Sequence, residues 1–184
     1  MDCFIILPNQ LFNKKYLSKF KNVKFFIFEE PLLFGDKERI KNFTKLKLVL
    51  HRASMKYYFD YLKKNKFDIE YIEYNKVKNY SFIKKYNTIN LFDPADHLFL
   101  ERLNKVTKKN KQDVNIIDTP MFLLTLSDLD EYMKHRGKSK TFFHKHFYTW
   151  QLKKLDIPYI SKSYDEMNRK KIPNNIELPK KIIE

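Results

Sequence analysis

Polar side chains suited to holding a ring-shaped ligand stand directly after two apolar runs of the sequence. Asn9 and Gln10 follow the run CFIIL (3–7), and Asp93 follows TINLF (88–92). An amide side chain both donates and accepts hydrogen bonds, which suits the edge of a heteroaromatic ring. The same residue types are also ordinary turn and cap residues, and that structural role is the more frequent one. Both interpretations stay open from the pattern alone.

Several kinds of chemistry are excluded by what the sequence lacks. The residues PNQLFNKK after the first run contain neither a GxGxxG nor a Walker pattern, which excludes the usual pyrophosphate site for NAD or ATP. His144 and His146 are two positions apart on an expected helix and face different sides, so we predict no metal site. The single cysteine, Cys3, excludes an internal disulfide and a four-cysteine cluster.

Short apolar runs alternate with helical patterns along the chain. Strands are expected at 3–7, 23–28, 69–74, 88–92 and 114–117, and helices at about 94–108, 127–134 and 141–155. Asp93 and Pro94 are predicted to cap and open the first of these helices. A further amphipathic helix is predicted from apolar residues that recur every three or four positions. These residues are Ile40, Phe43, Leu46, Leu50, Ala53, Tyr57 and Tyr61.

The alternation predicts an α/β fold, namely a Rossmann-like five-stranded parallel sheet with helices on both faces. If the strand order is 3-2-1-4-5, a ligand crevice lies between the loops after strands one and four. Glu29 and Glu30, after strand two, are expected nearby. We expect an α/β domain over residues 1–135, a connecting helix over 136–160, and an extended linker or tail over 161–184.

The charge of the chain is strongly positive, at +15. Such a surface attracts the phosphate backbone of DNA without reading its sequence. Phe143, Phe147 and Trp150 recur at helical spacing among lysines, a mixture that can contact nucleic acid or seat a partner. A solvated basic surface and a core aromatic stripe explain the same residues, and both alternatives stay open. The predicted DNA or partner contacts are Lys138, Lys140, Lys145, Lys153 and Arg169.

No apolar stretch approaches the ~20 residues of a membrane span, and the amino terminus lacks the features of a secretory signal. We therefore expect a soluble intracellular protein without a membrane partner.

Four stretches have an order of residues that goes beyond any amphipathic pattern. They are ILPNQL (6–11), KLVLHRASMK (47–56), FYTWQ (147–151) and YDEMNRKKIP (164–173). In order and spacing they resemble the photolyase-related proteins of the iron–sulfur bacterial cryptochrome and photolyase branch. They correspond to the amino-terminal α/β domain and the linker after it. The family usually has GDQL in the first stretch, where this chain has Pro8 and Asn9, and Thr44 and Met167 replace a usual histidine and glutamate.

The resemblance implies the front half, or one half of a split form, of a light-driven DNA repair or light-sensing protein. In the family this domain holds an antenna chromophore, commonly a ribityllumazine. FAD and the iron–sulfur cluster are expected only in a separately encoded partner domain, and lyase activity is not expected from this chain alone. The alternative is a basic DNA-binding module without photochemistry. The residues expected to line the chromophore pocket are Asn9, Gln10, Glu29, Thr44, Lys47 and Met55.

Overall fold

The computed structural model describes residues 1–20, 22–38, 43–137 and 141–158. Its five strands form one sheet in which every neighbouring pair is parallel. The parallel sheet confirms the predicted α/β fold, and its strand order, β3-β2-β1-β4-β5, is the one on which the expected ligand crevice was conditional. The strands are β1 (Asp2–Ile6), β2 (Lys24–Phe28), β3 (Ile69–Ile72), β4 (Thr88–Phe92) and β5 (Asp113–Ile117).

Five α-helices lie in the described ranges. They are α1 (Pro31–Phe34), α2 (Lys45–Lys64), α3 (His97–Asn110), α4 (Leu126–Arg136) and α5 (His144–Lys154). The chain divides into two compact units, Met1–Thr125 with the sheet and α1 to α3, and Leu126–Glu184 with α4 and α5.

The start of α3 corrects one prediction. Asp93 does not cap this helix; its Oδ1 instead accepts a hydrogen bond from the Ala95 N–H at 2.9 Å. Ala95 has a φ of +50°, so the chain makes a local turn that competes with helix formation. The helix begins only at His97, after Asp96, whose Oδ1 accepts the Phe99 N–H at 3.2 Å.

Each face of the sheet carries its own apolar core, because successive strand residues point to opposite faces. On one face, Ile5 and Phe28 pack in a cluster with Phe99 and Leu103 of α3. On the other face, Phe4 and Ile27 pack in a cluster that includes α2 residues. The α2 residues buried there are Met55, Tyr58 and Leu62.

The face of α2 that the sheet buries differs from the apolar stripe that predicted the helix. Leu46, Leu50 and Tyr57 belong to that stripe and are largely exposed. The buried residues Met55 and Leu62 follow a second stripe on the opposite side of the helix. Helix α2 is therefore apolar on two sides, and the sheet covers only one of them.

Two asparagines continue the hydrogen bonding of the sheet through their side chains. Asn115 of β5 donates from Nδ2 to Asn90 Oδ1 at 2.9 Å, and Asn90 of β4 donates from Nδ2 to the Cys3 carbonyl at 3.0 Å. Asn90 is buried, so its amide is satisfied on both sides, as a buried polar group requires. This amide ladder links β5, β4 and β1.

Candidate functional site

The carboxyl ends of β1 and β4 form the edge at which open parallel sheets bind ligands, because strand order reverses there. Gln10 joins the two loops at this edge. Its Nε2 donates to the carbonyl oxygens of Phe92 at 3.3 Å and Asp93 at 2.8 Å. Gln10 is 1% exposed, and its Oε1 has no hydrogen-bond partner among the described residues. The loop contact thus leaves a buried acceptor unused.

Glu29 lies at the end of β2, with its side chain fully buried. Arg52 of α2 donates from Nε and Nη2 to its two oxygens, each at 2.6 Å. The Tyr71 hydroxyl adds a bond at 2.7 Å and the Tyr74 N–H one at 3.0 Å. Burial raises the pKa of Glu29, but these hydrogen bonds, led by Arg52, outweigh burial and hold the pKa below its usual range. Glu29 is a carboxylate whose acceptor sites are filled by this protein.

Glu30 points to the other face of the sheet, toward α3. Its Oε2 accepts the Tyr80 hydroxyl at 2.9 Å, and Arg102 Nη1 lies 3.8 Å from its Oε1. Arg102 is committed elsewhere, because its Nη1 and Nη2 bind Asp36 at 2.7 Å each and its Nη2 lies 2.9 Å from Glu38. Burial therefore dominates and raises the pKa of Glu30 from 4.5 to about 7. The weaker opposing effects come from the Leu32 N–H, which donates to Oε1 at 3.3 Å, and then from Tyr80 and Arg102.

A cavity of about 370 Å³ adjoins the Glu30 contacts. Asn79 and Tyr80 both have left-handed backbone conformations, with φ of +47° and +49°. That conformation is costly for a tyrosine, and the packing of its ring against Phe28 and Phe99 helps to hold it. The cavity is lined by Pro31, Val77, Asn79, Tyr80, Arg102, Lys105 and Val106.

The other residues predicted to line a chromophore pocket occupy different settings. Thr44 is exposed and caps α2 by accepting the Lys47 N–H at 3.4 Å. Lys47 is exposed, with its Nζ 4.3 Å from the centroid of the Phe43 ring. Met55 is fully buried in the apolar cluster under α2, and Asn9 is exposed. That these residues line one pocket stays a prediction.

Sequence reasoning missed the residues that hold the two glutamates. Arg52 and Tyr71 bind Glu29, while Tyr80 and Arg102 contact Glu30. These partners lie on other elements of the fold, so no local pattern marks them. The signal available in the sequence was two adjacent acids at the end of an apolar strand, which require compensation when buried.

The unit that begins at Leu126 has an aromatic cluster of its own. Tyr132 of α4 packs against Phe147 and Trp150 of α5, with ring centroids 4.9 and 5.4 Å away. A cavity of about 340 Å³ beside this cluster is lined partly by Trp150 and Lys153. Lys145 and Lys153 are exposed. The other predicted contacts, Lys138, Lys140 and Arg169, lie outside the described residues.

The described part of the chain has neither a membrane-spanning helix nor a cluster of metal-binding side chains. No helix there is long and apolar enough to cross a membrane. No group of three or more His, Cys, Asp or Glu side chains in the same ranges is arranged to hold a metal ion.

Comparison with known proteins identifies the class to which this fold and edge belong. The family model of the deoxyribodipyrimidine photo-lyase-related proteins matches residues 4–183, nearly the whole chain. The chain therefore belongs to the deoxyribodipyrimidine photo-lyase-related protein family. It is also similar to the uncharacterized protein R852 of Acanthamoeba polyphaga mimivirus, with 37% identity over 187 residues. That alignment covers 94% of this chain and 95% of the relative.

Proposed function

We propose that the sheet domain binds an antenna chromophore of the ribityllumazine type in the crevice between the loops after β1 and β4. The buried Oε1 of Gln10, an acceptor without a partner among the described residues, carries this proposal. Buried polar atoms in folded proteins are nearly always bonded, so such an atom invites a donor. The ring edge of a lumazine supplies an N–H of the required kind, and the Gln10 acceptor at this edge therefore fits the group.

The proposed contacts divide by their chemistry. Gln10 would orient the ring through its Oε1, while its Nε2 keeps the two loops together. The exposed side chains of Asn9, Thr44 and Lys47 are the candidates for hydroxyl groups of the ribityl chain. Glu29 would act indirectly, since its oxygens already accept bonds from Arg52, Tyr71 and Tyr74. Because Gln10 is buried, binding requires the β1 loop to open slightly.

The biological role would be that of the light-harvesting subunit of a split photolyase-related protein. When bound, the chromophore supplies absorption in the near ultraviolet or violet, and its excitation would pass to FAD in a separately encoded photolyase-type domain. That partner would also hold the iron–sulfur cluster and perform any DNA repair. This role is supported by membership of the photolyase-related family, whose model matches residues 4–183.

The test is a titration of the purified chain with 6,7-dimethyl-8-ribityllumazine, followed by ligand fluorescence. We expect saturation in the micromolar range for the wild type and at least a tenfold weaker Kd for Gln10→Leu. Gln112→Leu is the matched control, because Gln112 Nε2 likewise joins two carbonyls, those of Ile83 at 2.8 Å and Tyr86 at 2.6 Å. Equal loss in both variants, or no saturation by the wild type, would exclude this crevice as the site.

A second candidate function is DNA binding by the unit that begins at Leu126. The observation that favours it is the half-buried Trp150 beside a cavity edged by Lys153, a combination of stacking surface and cation. We expect the Kd for a fluorescent single-stranded oligonucleotide to rise at least tenfold between 50 and 200 mM salt. Lys153→Glu should weaken binding, whereas Lys111→Glu, at the end of α3, should have a smaller effect. Salt-independent binding would contradict this candidate.

A further inference from the structure

Helix α2 carries large apolar side chains on the side opposite to its buried face. Leu46 is 79% exposed, Leu50 66% and Tyr57 76%, whereas Met55 and Leu62 of the same helix are fully buried. The exposed positions recur every three or four residues and extend about 16 Å along the helix. We call them the α2 stripe, which consists of Leu46, Val49, Leu50, Ala53 and Tyr57. A contiguous apolar surface of this kind usually marks an interaction site.

Lysines stand at both ends of helix α2, and the second pair lies beyond Tyr57, the last residue of the stripe. Lys45 and Lys47 lie in the first turn of α2, and Lys63 and Lys64 lie in the last. The first turn contains no acidic residue, so its lysines face the positive end of the helix dipole, where cations are unfavourable. Asp60 is the single acid within α2, against six Lys and Arg residues. This placement costs stability in the free chain, and a contacting acidic surface would offset the cost.

We propose that the α2 stripe is a docking surface for another protein, which presents an apolar groove with carboxylates at both ends. The apolar side chains would provide the buried area, and the lysine pairs would fix the position along the groove. Charges at the rim of an interface act mainly through specificity and association rate. The lysine pairs therefore select an acidic partner among the many apolar grooves that could accept a helix.

Other occupants fit less well. A second copy of this chain would bring lysines against lysines, because both ends of α2 are basic and neither parallel nor antiparallel pairing avoids this contact. A helix lying in a membrane surface keeps a broad charged face toward water, whereas the face of α2 opposite to the stripe is buried by Met55 and Leu62. Exposed leucines have no role in contacts with a phosphate backbone.

This inference does not rest on the chromophore proposal, because no residue of the α2 stripe is among the predicted pocket residues. Of the flanking lysines only Lys47 belongs to both sites, and the variant used to test docking is therefore Lys45→Glu. If the partner is a flavin-binding domain, the stripe marks the face to which it attaches. The stripe can be tested without that partner and without a chromophore, so failure of one proposal leaves the other standing.

The probe is a designed two-helix hairpin peptide whose helices form a leucine-lined groove with a pair of glutamates at each end. A control peptide has lysines in place of the glutamates. Binding of each labelled peptide to the full chain is followed by fluorescence anisotropy. The protein variants are Leu50→Ser and Lys45→Glu, with Leu123→Ser as the control, since Leu123 is 78% exposed but lies outside α2. Near-ultraviolet circular dichroism checks that each variant keeps its tertiary structure.

We expect the glutamate peptide to bind at micromolar concentration and the lysine peptide at least tenfold more weakly. Leu50→Ser and Lys45→Glu should each raise the Kd for the glutamate peptide at least fivefold. Leu123→Ser should leave this Kd unchanged. The proposal is overturned if neither peptide binds, if both bind alike, or if the two α2 variants behave like the control. It is also overturned if Leu50→Ser instead abolishes binding to phosphatidylglycerol vesicles or dissociates a dimer seen by analytical ultracentrifugation.

Discussion

Glu29 and Glu30 are consecutive in the chain, yet their carboxylates are bound on opposite faces of the sheet. Arg52 of α2 holds Glu29 through two 2.6 Å bonds, while Arg102 of α3 lies 3.8 Å from Glu30. Because successive side chains at the end of β2 point to opposite faces of the sheet, one glutamate contacts α2 and the other contacts α3. The two sites differ in charge balance, because Arg52 serves Glu29 directly, whereas Arg102 is bound mainly by Asp36. Opposite pKa shifts follow from this difference.

Glu29→Gln should destabilise the protein by about 2 kcal/mol at pH 7, because it removes charge-assisted hydrogen bonds at a buried position. The folded-state pKa of Glu29 lies below its usual value of 4.5. Its contribution is therefore present above that value and is lost as the pH falls through the folded-state pKa. Urea unfolding at pH 7 and at pH 3 measures the effect. A variant penalty that stays the same at both values would contradict the assignment.

Glu30→Gln should behave in the opposite sense. The folded-state pKa of Glu30 is raised to about 7, so the folded protein retains a proton that the unfolded chain has already lost above pH 4.5. The contribution of Glu30 is full below pH 4.5 and falls by up to ~3 kcal/mol as the pH rises to about 7. Because glutamine cannot ionise, the free energy of unfolding of Glu30→Gln should rise relative to that of the wild type over this pH range. Unfolding midpoints at pH 5, 6, 7 and 8 provide the test, and parallel curves would refute the expectation.

The strands and the parallel sheet were predictable from the sequence, whereas the strand order was only assumed and the side-chain partnerships were not predicted. An apolar run such as CFIIL, ended by proline and asparagine, is a strand in most contexts. By contrast, α2 is apolar on two sides, and periodicity alone selected the exposed one. The buried side is the one that carries Met55 and Leu62, which pack in the cluster beneath α2. Gln10 was predicted at the ligand edge, but its unused Oε1 follows from loop geometry that no local pattern encodes.

Met55→Ala should cost about 3 kcal/mol of stability, because Met55 is fully buried among sheet and helix residues and its removal leaves a cavity. Met55→Leu, which nearly conserves volume, should cost less than about 1.5 kcal/mol. Thermal unfolding of the two variants measures these two packing costs. If Met55→Ala unfolds like the wild type, the site is looser than the structure indicates.

Lys45→Glu should stabilise the free chain by about 0.3–1 kcal/mol, because it replaces a cation by an anion at the positive end of the α2 dipole. Lys63→Glu, at the other end of the same helix, should destabilise it by a similar amount. The pair controls for net charge, since both variants change it equally. Unfolding midpoints at low ionic strength measure both effects, and shifts of the same sign would show that the dipole is not their cause.

The amide ladder from Asn115 through Asn90 to the Cys3 carbonyl fixes which residue of each strand faces which. A slip of β4 by one position would place Ile89 or Leu91 where the Asn90 amide now lies. The Asn115 amide and the Cys3 carbonyl would then each lose the hydrogen bond to Asn90. The Asn90 side chain would also turn into the apolar core on the other face of the sheet, which now holds Ile89 and Leu91. Misaligned pairings are thus penalised at two strand boundaries at once. The hydrogen bonds of the amide ladder therefore specify the register of these strands, which the interchangeable apolar side chains of the core do not specify.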